Sequence, residues 1–219
     1  MGGLVFPMDR LRYIVPIFAL AALGCAIWAR TTETFPGDVS ITQAFQENRT
    51  SWLDQVMLIF TSLGNIEIVY LILLLAGLLL YTQSKRLHTL ALAMAGLGSV
   101  LVPVIKNVVE RPRPLPGEVE VFQSLSSYSF PSGHAFTSMI AFGAMFYFAD
   151  HLSGHNRWMT RVLRSILAVV VLGVGASRIY LGLHWASDVL AGYLMGGLTL
   201  IAVIALFNWL HKRRETSLV

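Results

Sequence analysis

Charge is scarce in this chain. Only 13% of its 219 residues are Asp, Glu, Lys or Arg, about half of the ~25% that a soluble domain carries. Too few charges remain to solvate a water-exposed surface, so an ordinary soluble globular protein is excluded. Cysteine is almost absent as well: the single Cys25 lies in an apolar stretch and rules out an intramolecular disulfide. There is no low-complexity tract, no clear internal repeat and no dense cluster of carboxylates. The chain is too short for a helix bundle plus a second core, which makes one domain over residues 1–219 the natural division.

Long apolar runs are present instead. Hydrophobic residues make up 55% of the chain and the mean hydropathy is +0.65. A membrane-spanning helix needs about 20 mostly apolar residues. Six segments approach or exceed that length: Tyr13 to Ala29, Trp52 to Tyr81, His88 to Ile105, His134 to Ala149, Val162 to Ser177 and Asp188 to Leu210. Backbone amides in the bilayer core must be paired internally, so the expected fold class is all-α, a polytopic membrane bundle of about six transmembrane helices. The second segment is interrupted at Ser62-Leu63-Gly64-Asn65, which predicts an interfacial stretch leading into a span from Ile66, with Glu67 as a boundary carboxylate. Leu23-Gly24-Cys25 faintly resembles a lipoprotein cleavage site, but the apolar run continues past the cysteine and the first segment is expected to stay as a helix.

A net charge of +4 invites a nucleic-acid reading, which the positions oppose. The basic residues sit in short clusters between apolar runs, a topology signal and not a binding stripe. If six helices alternate, Arg10, Arg12, Lys85, Arg86, Arg157, Arg161, Arg164, Lys212, Arg213 and Arg214 share one side, and the positive-inside rule makes that side cytoplasmic. On the other side fall Arg30, Arg49, Lys106, Arg111, Arg113 and Arg178, four of them in compact clusters that need another explanation.

Three polar clusters interrupt the apolar chain, all on the predicted outer side: Lys106 to Pro114, Ser129 to His134, and Ser177-Arg178 followed by His184 and Asp188. Singly they are ordinary, as snorkelling bases, a helix start or an interfacial histidine. Together they carry the groups that phosphate chemistry requires. Lys106, Arg113 and Arg178 supply three cations for a phosphate dianion, the arginines with planar two-point bonding. Ser132, Gly133 and His134 open a helix whose unpaired N–H groups attract anions, and Gly133 lets an oxyanion approach the backbone. His184 and Asp188 are four residues apart and share a face if helical. The carboxylate then accepts from one imidazole nitrogen and leaves the other free as a nucleophile, with His134 available as an acid.

These residues, in this order and spacing, resemble the three-part signature of the type 2 phosphatidic acid phosphatase superfamily. The resemblance implies that His184 attacks phosphorus to form a phosphohistidine, Asp188 orients it and His134 protonates the leaving group. It assigns Lys106, Arg113, Ser132, Gly133 and Arg178 to phosphate binding and implies no metal or other cofactor. Arg111-Pro112 repeats the Arg-Pro element two residues early, which leaves Arg111 as a second-rank contact. The expected substrate is a lipid phosphate, such as phosphatidylglycerol phosphate, phosphatidic acid or a polyprenyl diphosphate, met at the outer face of the cytoplasmic membrane. A phosphotransferase needs the same residues and differs only in its acceptor. A lipid or anion transporter would need polar groups along several spans, whereas here they stay near one boundary. Vanadate-dependent haloperoxidases share the signature but are soluble.

Overall fold

The computed structural model describes residues 8–216, and the described residues form helices joined by turns and loops. All six apolar stretches are helical. In chain order the helices are α1 (Met8–Thr31), α2 (Asp38–Gln46), α3 (Ser51–Leu63), α4 (Ile66–Thr82), α5 (Arg86–Leu97), α6 (Leu101–Val109), α7 (Gly133–Tyr147), α8 (Ala149–Leu152), α9 (Arg157–Tyr180) and α10 (Ala186–Thr216).

Local chemistry explains the breaks. Asn156 caps α9 by accepting from the Trp158 and Met159 amides at 3.0 and 3.1 Å, an Asx cap that meets donors the helix leaves unpaired. Between α5 and α6 the chain tightens into a 3₁₀ turn at Gly98–Val100. Pro103 lacks the N–H that would bond Ser99 four residues back, and its ring crowds that carbonyl, which fits a change of helical pitch there. The expected interruption of the second segment is an elbow of 59° between α3 and α4. Gly64 makes it possible: a Cβ there would lie 2.7 Å from Val174 Cγ1 and 2.9 Å from His134 Cδ2.

Helix α7 is the hub, with α10, α9, α5 and α4 packed around it. Phe136, Ile140 and Phe142 of α7 meet Leu73 of α4, Leu92 of α5, Leu167 of α9 and Leu200 and Phe207 of α10 in one buried cluster. The outward faces are just as apolar: Leu20, Leu172 and Leu190 are each about two-thirds exposed, at 68, 66 and 67%. Apolar surface on that scale marks a lipid-covered protein, and the chain is a membrane protein.

Among the described residues, length and apolar composition by themselves single out three or four spans. Arg86–Val109, Arg157–Tyr180 and Ala186–Thr216 are long and apolar enough to cross, and the bent pair Ser51–Leu63 and Ile66–Thr82 makes a fourth if taken as one span. The apolar part of α1, Val15–Thr31, is shorter, and α7 has 15 residues. At 1.5 Å per residue α7 reaches about 22 Å, less than the ~30 Å hydrocarbon core.

Candidate active site

Four helix ends meet at one end of the bundle: the end of α6, the start of α7, the end of α9 and the start of α10. They bring all three polar clusters together. Between α9 and α10 the chain reverses within five residues. Gly182, at φ +63°, takes the left-handed conformation that commonly ends a helix. A side chain there would collide with the Glu120 carbonyl, which lies 2.1 Å from the Cβ position. The Leu183 and His184 amides both bond back to the Arg178 carbonyl, at 3.0 and 3.2 Å. Arg178 and His184 are thereby tied through the backbone.

His184 therefore precedes α10, which starts at Ala186; it does not share a helical face with Asp188, as the four-residue spacing had predicted. The Asp188 carboxylate instead reaches back to the helix start, and its Oδ2 accepts from the Trp185 amide at 3.0 Å. That is one arm of a capping box. Asp188 Oδ2 is 3.6 Å from His184 Nδ1, beyond hydrogen-bonding reach. Ser129 fills the gap: its hydroxyl is 2.5 Å from Asp188 Oδ2 and 3.3 Å from His184 Nδ1. On the far edge of the ring, Arg113 Nη1 is 3.1 Å from Nε2. A guanidinium only donates, so Nε2 carries the lone pair and Nδ1 the proton.

Burial pushes the His184 imidazole well below its ordinary pKa, and Arg113, Arg178, Lys106 and His134 push it the same way. Its neutral form is the stable one. Arg113 is bound by Ser127, through Nε to the carbonyl at 2.6 Å and Nη2 to the hydroxyl at 2.9 Å, and by the Leu183 carbonyl. Burial holds its guanidinium below the usual range, partly offset by Asp188. Lys106 donates to the Tyr128 and Ser129 carbonyls. Arg178 donates through Nη1 to Thr61 Oγ1 at 2.6 Å, while its Nε is buried without a hydrogen-bond partner.

Ser132 is the N-cap of α7, its Oγ 3.5 Å from the Ala135 amide and its own N–H donating to the Asp188 carbonyl at 3.0 Å. Gly133 and His134 form the first turn, at the positive end of the helix. His134 Nε2 lies 3.0 Å from Asn65 Oδ1, the N-cap residue of α4, so the elbow at Gly64 delivers its partner. A cavity of about 270 Å³ adjoins the site, with Arg113, Ser127 and Leu183 in its wall.

Arg111 departs from its expected place. It is not a second-rank phosphate contact: its side chain is fully buried and ion-paired, through Nη1 to Asp188 Oδ1 at 2.5 Å and through Nη2 to Asp38 Oδ2 at 2.7 Å. Sequence reasoning also gave no role to Ser129, Asn65 or Asp38. Ser129 and Asn65 stood inside stretches already singled out, but Asp38 lies in a polar connection 73 and 149 residues from its partners Arg111 and Ser187. Among the described residues no group of three or more His, Cys, Asp or Glu is arranged to hold a metal ion.

The family model of the PAP2 superfamily matches residues 86–212, which include every residue of the three clusters. Phosphatidylglycerophosphatase B of Bacillus subtilis is 32% identical over 165 residues, covering 73% of this chain and 77% of its own. An undecaprenyl-diphosphatase of Sulfolobus acidocaldarius is 29% identical over 162 residues, covering 73% of each. The crystal structure of a transmembrane PAP2-type phosphatidylglycerolphosphate phosphatase from Bacillus subtilis superimposes with a TM-score of 0.78 at 28% identity, over 89% of this chain and 96% of that one. With more than half of its length under that family model and phosphatases of membrane lipids as relatives, this chain belongs to the PAP2 superfamily of lipid phosphatases.

Proposed function

We propose that this chain hydrolyses lipid phosphate esters or diphosphates through a phosphohistidine on His184, at the outer face of the cell membrane. The observation that carries the reading is His184 itself: neutral, fully buried, with its proton on Nδ1 backed by Ser129 and Asp188 and its lone pair turned toward the cations. In the first step the Nε2 lone pair attacks phosphorus and the phosphorus–oxygen bond to the lipid breaks. His134 gives its proton to the departing oxygen. As phosphorus bonds to Nε2 the imidazole becomes cationic, and Asp188, acting through the Ser129 hydroxyl, stabilises that charge. In the second step water attacks phosphorus, His134 takes the water proton, and inorganic phosphate leaves His184 free.

The phosphate oxygens meet Lys106, Arg113, Arg178 and the N-terminus of α7 at Ser132 and Gly133. The buried Arg178 Nε, which lacks a partner, gains an acceptor when an anion arrives. Arg113 exchanges its bond to Nε2 for bonds to phosphate, which uncovers the nucleophile as substrate enters. The substrates named for the relatives put phosphatidylglycerol phosphate and polyprenyl diphosphates on the panel to assay, and the family resemblance adds phosphatidic acid. Brief exposure to phosphatidic acid labelled on phosphorus, quenched in alkali where phosphohistidine persists, should trap label on wild type and none on His184→Ala. Label retained by His184→Ala would refute the assignment.

Orientation rests on the count of basic residues. In a Cys25→Ala background, single cysteines at Glu118, in the loop beside the site, and Ser153, at the opposite end, should label oppositely with an impermeant thiol reagent in intact cells. Glu118→Cys should react and Ser153→Cys should not; the reverse pattern would put the chemistry in the cytoplasm.

A further inference from the structure

The buried Arg111 has work that phosphate binding does not explain. Its side chain is enclosed, and its donors are taken by acceptors from separate parts of the chain. Nε donates to the Glu33 carbonyl at 3.0 Å, Nη1 to Ser187 Oγ at 2.8 Å and Asp188 Oδ1 at 2.5 Å, and Nη2 to Asp38 Oδ2 at 2.7 Å. Asp38, the first residue of α2, is fixed in turn by the Ser187 amide at 3.0 Å and hydroxyl at 2.8 Å and by the Phe35 amide at 2.8 Å. Two carboxylates thus share one guanidinium in a site closed to water.

A single buried ion pair needs only one acid, and burying a second one is costly. The second acid makes sense if Asp188 must be held without being fully neutralised. A carboxylate turns readily about its last torsion, which has broad minima. Pinning Oδ1 on Arg111 sets the angle at which Oδ2 meets Ser129, 2.5 Å away, and through it His184. Because Asp38 draws on the same guanidinium, Asp188 keeps its strength as an acceptor toward that relay. We infer that Arg111 and Asp38 are positioning residues for the reaction, a buried strut that aims the Asp188 carboxylate and preserves its basicity, and that α2 is thereby part of the catalytic apparatus.

This inference rests on His184 being the nucleophile, so His184→Ala is the control in the same assay. Loss of all turnover there keeps the site reading standing, and turnover that survives would sink that reading whatever Asp38 does. Asp38→Asn puts an amide among donors that all need an acceptor. With dioctanoyl phosphatidic acid in detergent micelles, and active sites counted by the trapped phosphoenzyme, it should lower kcat about 10–100-fold, the scale on which groups supporting catalytic ligands act. KM should stay nearly constant, because no phosphate contact is lost. In an Asp188→Asn background the same change should cost almost nothing further, since the carboxylate it aims is gone. Arg111→Lys should recover part of the activity that Arg111→Met loses. Should Asp38→Asn fail to fold, Ser187→Ala, which removes one hydroxyl from the strut, should show a smaller kcat loss with the same dependence on Asp188. Equal fold-losses with and without the Asp188→Asn change, or an unchanged kcat per counted site, would overturn the inference.

Discussion

Histidines gather at both ends of this bundle, and the two gatherings differ in what surrounds them. At one end His184 is held by Ser129, itself bonded to Asp188, and by Arg113, and His134 by Asn65. At the other, His88 packs against rings: edge-on to Phe148 at 5.0 Å, Phe207 at 4.8 Å and His151 at 4.3 Å between centroids. His155 pairs with Asp150 at 2.7 Å in an exposed contact. The first environment fixes a tautomer and turns a lone pair toward cations. The second uses the imidazole largely as a flat ring filling space. Residue type does not separate a reactive histidine from a packed one; the partners of each ring nitrogen do.

The sharpest test of that contrast sets His184→Ala beside His88→Ala. Loss of a covalent nucleophile from an interlocked site costs about 10⁴–10⁶ in turnover, so His184→Ala should be inactive on every substrate while still folding. His88→Ala should keep kcat within about twofold and lower the unfolding temperature, because it opens a cavity among buried rings. A large kcat loss in His88→Ala, with normal folding, would break the comparison.

A smaller effect separates the two histidines of the active end. A lipid phosphomonoester expels an alkoxide whose conjugate acid is about as weak as water, pKa near 15.7. Proton donation there is typically worth ~10²–10⁴-fold. A diphosphate expels a phosphate monoester with a pKa of about 6 and needs little help. His134→Ala should therefore damage phosphatidic acid hydrolysis much more than polyprenyl diphosphate hydrolysis. Nitrophenyl phosphate, with its weakly basic leaving group, should also be relatively spared. Equal losses on all three would remove His134 from the role of acid.

Smaller still is the effect of pH on stability. His184 is neutral when folded, its pKa pushed well below the ordinary 6.5 by burial and cations, whereas the unfolded chain protonates near 6.5. Below that pH the unfolded state binds a proton that the native state refuses. Stability should therefore fall on acidification, by up to about 1.4 kcal/mol per pH unit from this group. His184→Gln should lose less in unfolding temperature between pH 7 and pH 5 than wild type does; an equal loss would mean that the imidazole is not held neutral. The smallest expected change is none at all: excess chelator should leave hydrolysis intact, while vanadate inhibits. Activity that returns only on adding magnesium would contradict phosphate binding by Lys106, Arg113 and Arg178 alone.

Membrane class, helical fold and the three polar clusters that packing brings together were legible in the amino-acid order, because each depends on composition, apolar run length or short-range spacing. The start of α7 at Gly133, with Ser132 as its cap, could be read for that reason, as could the elbow near Gly64. How those residues are wired came from packing. Folding placed Ser129 between His184 and Asp188, turned Arg111 inward to two carboxylates, and brought Asp38 from α2 to the start of α10. The physical reason is range. A helix cap or an apolar run is a relation among neighbours in the chain, but an ion pair between residues 73 positions apart exists only once packing has closed the loop between them.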